Sequence, residues 1–311
     1  MHMPEGSSMF KAIFIDIDNT LLDFDGFVRS AMKTGFEKFG LAEYEPRMYD
    51  TFTRINSGLW KRLELGELDF EYIQKNRWNE VFEELKIDFS GPEFEAYFRS
   101  FLWDCAIPID GAYELLEALQ GLKKEYTQQL LPRIKSSEPA RAEGGLKKEY
   151  TQPPQLFPLV CAASNGPNAQ QLHRLEKAGM TKYFDYIFIS EAVGASKPDK
   201  AFFDFAFETI NNAVSAQAFP PVSGQSEAVL IRPEDCLIIG DSMSSDMEGG
   251  FRCGMKTLYF DKHAGEAAVP DNAGHPVTGP AGRCPSGGRV PDAGAGSLRD
   301  IPGLIREFRD V

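Results

Sequence analysis

Short runs of uninterrupted apolar residues recur along the chain, each closing on polar or glycine-containing positions: Ala12-Ile13-Phe14-Ile15, Leu159 to Ala163, Tyr186 to Ile189, Cys236 to Ile239, and Thr257 to Phe260. Continuous hydrophobicity over four or five residues is the pattern of a strand covered on both faces, as in a parallel sheet. Between the first and second runs the period changes. Apolar residues return at helical spacing through Phe27, Met32, Phe36 and Phe39, then Met48, Phe52, Ile55 and Leu59. They continue through Phe70, Ile73, Val81, Phe82 and Leu85, and finally Phe94, Phe98 and Leu102, which predicts four helices. A further helix is expected from Leu298 to Phe308.

The polar residues that end the strands carry the candidate chemistry, because open α/β folds place their ligands at the carboxyl ends of strands. Asp16 and Asp18 follow the first run. They fit a turn in which short side chains cap neighbouring amides, and equally a nucleophile and a proton carrier beside a divalent cation. Ser164-Asn165-Gly166-Pro167 follows the second run, where a helix start leaves amides free for an anion or for a cap. Lys197 lies in a loop after the third run, either as a solvated charge or as a phosphate-neutralising one. Gly240-Asp241-Ser242 ends the fourth, with Asp246 five residues beyond Asp241; acids here suit a hard cation, and Asp246 also suits a helix start.

The DxDxT strand end at Asp16, the Ser-Asn-Gly turn, the Lys197-Pro198 loop and the Gly-Asp-Ser-x-x-x-Asp turn, in this order, resemble the four motifs of the haloacid dehalogenase (HAD) superfamily of phosphohydrolases. The resemblance extends from about Phe10 to Phe260. It implies an α/β fold, a doubly wound, Rossmann-like parallel sheet at residues 9–24 and 105–311, with a four-helix cap inserted at 25–104. It also implies Mg²⁺-dependent hydrolysis of a phosphate monoester. Asp16 would be the nucleophile, Asp18 the general acid and base, and Ser164, Asn165, Gly166 and Lys197 the phosphate holders. The metal would rest on Asp16, the backbone carbonyl of Asp18, Asp241 and Asp246.

Within that superfamily, Leu21-Leu22-Asp23-Phe24, Asn56-Ser57-Gly58-Leu59-Trp60 and Ile189-Ser190-Glu191-Ala192-Val193-Gly194 are similar to segments of the bacterial 5'-nucleotidases, including those acting on pyrimidine nucleotides. Phe24 and Trp60 are candidates to stack on a base and Asn56 to hydrogen-bond it, while the same aromatics also suit the interior of the cap. A phosphatase of sugar phosphates, phosphoglycolate or a sialic-acid phosphate would keep every core residue named and differ in the cap. A dehalogenase needs no acid at Asp18; a phosphomutase and a non-catalytic binding protein on this fold complete the alternatives.

Charge and cysteine usage narrow the class. The 311 residues carry 33 basic and 46 acidic side chains, a net charge of -13, which argues against nucleic-acid and anionic-membrane partners. Cys105, Cys161, Cys236, Cys253 and Cys284 form no CxxC pair and read as reduced thiols of a cytoplasmic protein. The four histidines lack metal-ligand spacing, which removes a zinc site and a histidine triad. No run reaches membrane-spanning length and the N-terminus lacks the apolar core of a signal peptide. The expected partner is a small phosphate ester, and the expected state a monomer or weak dimer.

One octapeptide, Gly121-Leu-Lys-Lys-Glu-Tyr-Thr-Gln128, returns unchanged at Gly145 to Gln152. It reads as a local duplication inside an irregular insertion at 121–158; further irregular insertions are expected at 212–232 and 262–297.

Overall fold

Alternation within one strand sets up the two faces of the sheet. In the computed structural model, which describes residues 10–136, 157–217, 230–264 and 289–308, strand β1 (Ala12–Ile15) sends Ile13 and Ile15 to one apolar cluster and Ala12 and Phe14 to another. Strands β2 (Leu159–Ser164), β3 (Tyr186–Ile189), β4 (Cys236–Gly240), β5 (Lys256–Phe260) and β6 (Ala293–Ala295) complete a wholly parallel sheet in the order β3-β2-β1-β4-β5-β6. Helices α5 (Ala112–Ser136), α6 (Asn168–Lys177) and α10 (Ile301–Glu307) supply Leu115, Leu119, Leu175 and Ile305 to the first face. Helix α8 (Lys200–Gln217) supplies Phe202, Phe203, Phe207 and Ile210 to the second; the short helices α7 (Ser190–Val193) and α9 (Glu248–Cys253) adjoin β3 and β5. This is the doubly wound α/β architecture that the motif order implies.

The strand order reverses direction between β1 and β4, so the chain leaves the sheet to opposite sides there and opens a crevice at their carboxyl ends. Asp16 follows β1 and Asp241 follows β4, and the Asp16 amide donates to the Ile239 carbonyl at 2.9 Å. The fold therefore brings two distant acids together at its topological switch point.

Helices α1 (Phe24–Lys38), α2 (Pro46–Glu64), α3 (Phe70–Leu85) and α4 (Gly91–Trp103) enclose a separate apolar cluster. It is aromatic at its centre, with Trp78 and Phe94 rings 4.3 Å apart and Phe27 and Phe98 4.8 Å apart. Such pairs add about 0.5–1.5 kcal/mol each to the area buried. The two chain segments joining this layer to the sheet run side by side: Asp23 N–H donates to the Ile107 carbonyl at 2.8 Å and Ile109 N–H to the Leu21 carbonyl at 2.9 Å. Lys262, just past β5, donates to Asn19 Oδ1 at 2.8 Å and Asp23 Oδ1 at 2.7 Å, fastening the outgoing segment to the sheet.

Four expectations need correction. Helix α5 continues through the first octapeptide copy, because Leu122 and Tyr126, four apart, both bury against the sheet; residues 121–136 are helical rather than irregular. The second copy lies outside the described residues. Residues 212–217 belong to α8. Within 262–297, Ala293–Ala295 forms the outermost strand, its register fixed by Asp292, whose Oδ2 accepts from the Thr257 amide and hydroxyl at 2.9 Å. The final helix begins at Ile301, three residues later than the pattern predicts. Among the described residues no helix is long and apolar enough to cross a membrane.

Candidate active site

Lys197 organises the crevice. Its ammonium, 1% exposed, donates to Asp16 Oδ1 at 2.7 Å, Asp246 Oδ1 at 2.7 Å and the Ala163 carbonyl at 2.6 Å, which uses all three of its protons. Burial works against the charge, but Asp16 and Asp246 outweigh it and hold the group protonated above the usual lysine range. Asp246, fully buried, also accepts at Oδ2 from the Ser242 amide at 3.1 Å. Its approach to the strand end depends on Gly240: a Cβ there would sit 2.2 Å from Asp246 Oδ2.

Asp16, Asp241 and Asp246 present carboxylate oxygens within 4.8 Å of one another. One lysine does not neutralise three such groups. Burial raises the Asp16 carboxyl to about 7, with Asp246 adding to the rise and Lys197 opposing it. Asp241 is pushed well up by burial, then by Asp16 and Asp246. An uncompensated cluster of hard oxygen donors fits a small divalent cation such as Mg²⁺. Among the described residues no histidine or cysteine joins it.

The turn after β2 faces the same crevice. The Gly166 amide donates to Ser164 Oγ at 3.2 Å, and Gln171 Nε2 donates to it at 3.0 Å, so the Ser164 proton is left for another acceptor. Asn165 is spent on structure: its side chain donates to the Lys197 carbonyl at 2.8 Å and accepts from the Lys197 amide at 2.9 Å, clasping two motif loops together. Asp18 lines the same crevice and is held there by two buried side chains. Arg174, 1% exposed, donates to its Oδ1 at 2.6 Å and Gln171 to its Oδ2 at 2.5 Å.

Above these groups, the helical layer closes a cavity of about 190 Å³ lined by Asp16, Ser164, Lys197 and Asp246 from the sheet side and by Phe24, Asn56, Trp60 and Phe70 from the helices. Phe24 and Trp60 also touch the interior of the layer, at 5.7 Å from Phe27 and Phe70 respectively. Four charged lining residues escape sequence reasoning: Glu64, Arg77, Glu95 and Arg99. Glu64, at the end of α2, reaches down to Ser244 and Asn165, and burial together with Asp246 raises its carboxyl to about 7. Its signal was the spacing of Asn56, Trp60 and Glu64, four residues apart on one helix face.

A HAD-hydrolase-like family model matches residues 194–273, which span Lys197, Asp241 and Asp246. The chain is 25% identical over 254 residues to pyrimidine 5'-nucleotidase PynA of Streptococcus pneumoniae, covering 82% of this chain and 85% of the relative. Pyrimidine 5'-nucleotidase YjjG of Escherichia coli is 26% identical over 254 residues, at 81% and 86% coverage. The chain is similar to HAD-like phosphohydrolases. The crystal structure of HAD-hydrolase YfnB from Bacillus subtilis bound to magnesium has the same fold, with a TM-score of 0.63 at 22% identity over 96% of this chain and 99% of that one.

Gly240→Ala is expected to push Asp246 off the strand end while leaving the sheet paired. A displacement of about 1 Å costs on the order of 10²-fold in rate. Steady-state kinetics with circular dichroism checks it: an unchanged kcat in the folded variant would show that the close approach at Gly240 is not needed.

Proposed function

We propose that the chain is a Mg²⁺-dependent nucleoside 5'-monophosphate phosphatase working through an aspartyl-phosphate on Asp16. The observation that carries this is the cavity itself, lined by Asp16 and Lys197 from the sheet side and by Phe24, Trp60 and Asn56 from the helices. Lys197 engages Asp16 Oδ1, and Oδ2 takes no hydrogen bond from the described residues. That oxygen attacks phosphorus as the bond to the leaving alcohol breaks. Ser164 Oγ–H and the charge of Lys197 stabilise the phosphoryl oxygens, although Lys197 has no proton to spare unless Asp16 or Asp246 shares one. Bound at Asp16, Asp241 and Asp246, with the Asp18 carbonyl completing the set, Mg²⁺ would offset the repulsion between carboxylate and phosphate.

Asp18 gives its proton to the departing oxygen and then takes one from the water that attacks the aspartyl-phosphate, freeing Asp16 and inorganic phosphate. Arg174 and Gln171, which donate to the two Asp18 oxygens, hold the side chain at the cavity it lines. Helices α1 to α4 act as the cap, excluding water and selecting the group attached to the phosphate. Phosphate release from pyrimidine and purine nucleoside monophosphates and from sugar phosphates, with and without Mg²⁺, tests this. Turnover of nucleotides ahead of sugar phosphates is expected; the reverse order would leave the core chemistry and remove the nucleotidase.

The raised carboxyls also set a stability profile. Asp16 and Glu64, held at about 7, bind protons more tightly folded than unfolded. Unfolding free energy from these groups therefore falls as pH rises from about 4 to about 7, the opposite sign to a salt-bridged carboxylate. Without metal, Tm is expected to drop across this window, and millimolar Mg²⁺ to restore it most at the alkaline end. Differential scanning calorimetry checks it; an equal Mg²⁺ effect at both ends would separate the acidic cluster from the metal.

A further inference from the structure

A buried ion pair lies in the otherwise apolar interior of the helical layer. Arg77 of α3 and Glu95 of α4, 5% and 4% exposed, share hydrogen bonds of 3.2, 2.7 and 2.8 Å. The guanidinium sits 4.7 Å above the Phe98 ring, so it is fixed in place as well as in charge. Replacing such a pair by apolar residues is commonly neutral or stabilising, which makes its presence here a cost that stability does not explain. Among the described residues its one hydrogen bond beyond the pair supplies a use: Arg77 Nη1 donates to Asn56 Oδ1 at 3.0 Å.

Arginine has donors and no acceptor, so the Asn56 amide can face it only with its oxygen. The amide nitrogen is then directed away from Arg77, and among the described residues it has no hydrogen-bond partner, while Asn56 lines the cavity. Trp60 lies one turn along α2 and Glu64, beside Asn165 at the phosphate end, two turns along, about 12 Å from Asn56 on the axis. That span is comparable to a nucleoside monophosphate laid along the helix, with its base over Trp60.

Resting on the nucleotidase reading, we propose that Arg77 and Glu95 are positioning residues that lock Asn56 as a hydrogen-bond donor, and that Asn56 reads a ring carbonyl oxygen on the base. Oxo bases are then preferred to the amino bases that place a donor at the same edge. A donor facing a donor leaves both unpaired, the circumstance in which polar sites discriminate most strongly.

The test compares kcat/KM for UMP with CMP and for IMP with AMP, pairs that exchange an oxo group for an amino group, each enzyme normalised to its own rate on p-nitrophenyl phosphate. For the unmodified protein a preference for UMP over CMP of about tenfold or more is expected. Asn56→Asp presents an acceptor to the cavity and is expected to invert the preference. The double variant R77M/E95M, which leaves no unpaired buried charge, frees the amide to turn and is expected to bring the ratio near one without inverting it. A ratio unchanged in Asn56→Asp overturns the assignment of Asn56, and a ratio unchanged in R77M/E95M overturns the positioning role. Hydrolysis of p-nitrophenyl phosphate with no turnover of any nucleotide overturns the nucleotidase reading and this inference with it, a result distinct from the other two.

Discussion

Lys197→Met is expected to lower kcat by about 10³-fold or more and to destabilise the metal-free protein by about 3–5 kcal/mol, the scale for removing one partner of a buried ion pair. Both effects follow from one geometry. The ammonium is the cation that the described residues place among Asp16, Asp241 and Asp246, and methionine fills its volume without its charge or its three donors. The remaining carboxyls relieve their repulsion by taking up protons, so the loss of stability is expected to be greater at alkaline than at acidic pH. Two rescues separate the causes. Millimolar Mg²⁺, or the second substitution Asp246→Asn, restores Tm by reducing negative charge, but neither returns the Lys197 ammonium to the phosphoryl group, so activity stays low. Recovery of both Tm and kcat in the double variant would assign Lys197 a purely structural role.

The part of this arrangement that was legible in the sequence is the part governed by local rules. Strands β1 to β5 announce themselves as apolar runs because both their faces are covered, and the acids and the Ser-Asn-Gly turn stand out because they interrupt those runs. Strand β6 is Ala-Gly-Ala, without a β-branched or aromatic residue; its pairing comes from Asp292 and Thr257, a tertiary contact that no propensity encodes. Helix α5 passes through a charged, glycine-containing segment because Leu122 and Tyr126 find the sheet.

The charged lining of the cavity was hidden for a different reason. Glutamates and arginines on helices ordinarily read as solvated. Yet Arg77 falls four residues after Ile73 and four before Val81, on the buried stripe of α3, and Glu95 lies beside Phe94 and three before Phe98 on the buried stripe of α4. Opposite charges at stripe positions of two neighbouring helices are the available signal for an internal ion pair. Gln171 and Arg174 occupy the buried face of α6 in the same way, and their partner, Asp18, stands more than 150 residues earlier, beyond the reach of any local pattern.

Asp16→Asn is expected to reduce turnover of every phosphate ester by at least about 10⁴-fold, because an amide oxygen is a poor nucleophile and no other carboxylate occupies its place. The fold survives, since the asparagine Oδ1 still accepts from Lys197 in the position the aspartate now holds. Metal-free stability near neutral pH is expected to rise, because burial makes the ionised Asp16 costly and the substitution removes that charge. Asp18→Asn separates from it by substrate. An acid is needed when the leaving group is an alkoxide and hardly at all when it is p-nitrophenolate, so nucleotide hydrolysis should fall by about 10²–10⁴-fold and p-nitrophenyl phosphate hydrolysis far less. Slowed hydrolysis of the aspartyl-phosphate should then appear as a burst of p-nitrophenol in rapid mixing, with phosphate retained on the protein. Comparable losses on both substrates for Asp18→Asn, with no burst, would place Asp18 in the structure of the β1 turn and leave the proton to another group; measurable turnover in Asp16→Asn would remove the nucleophile itself.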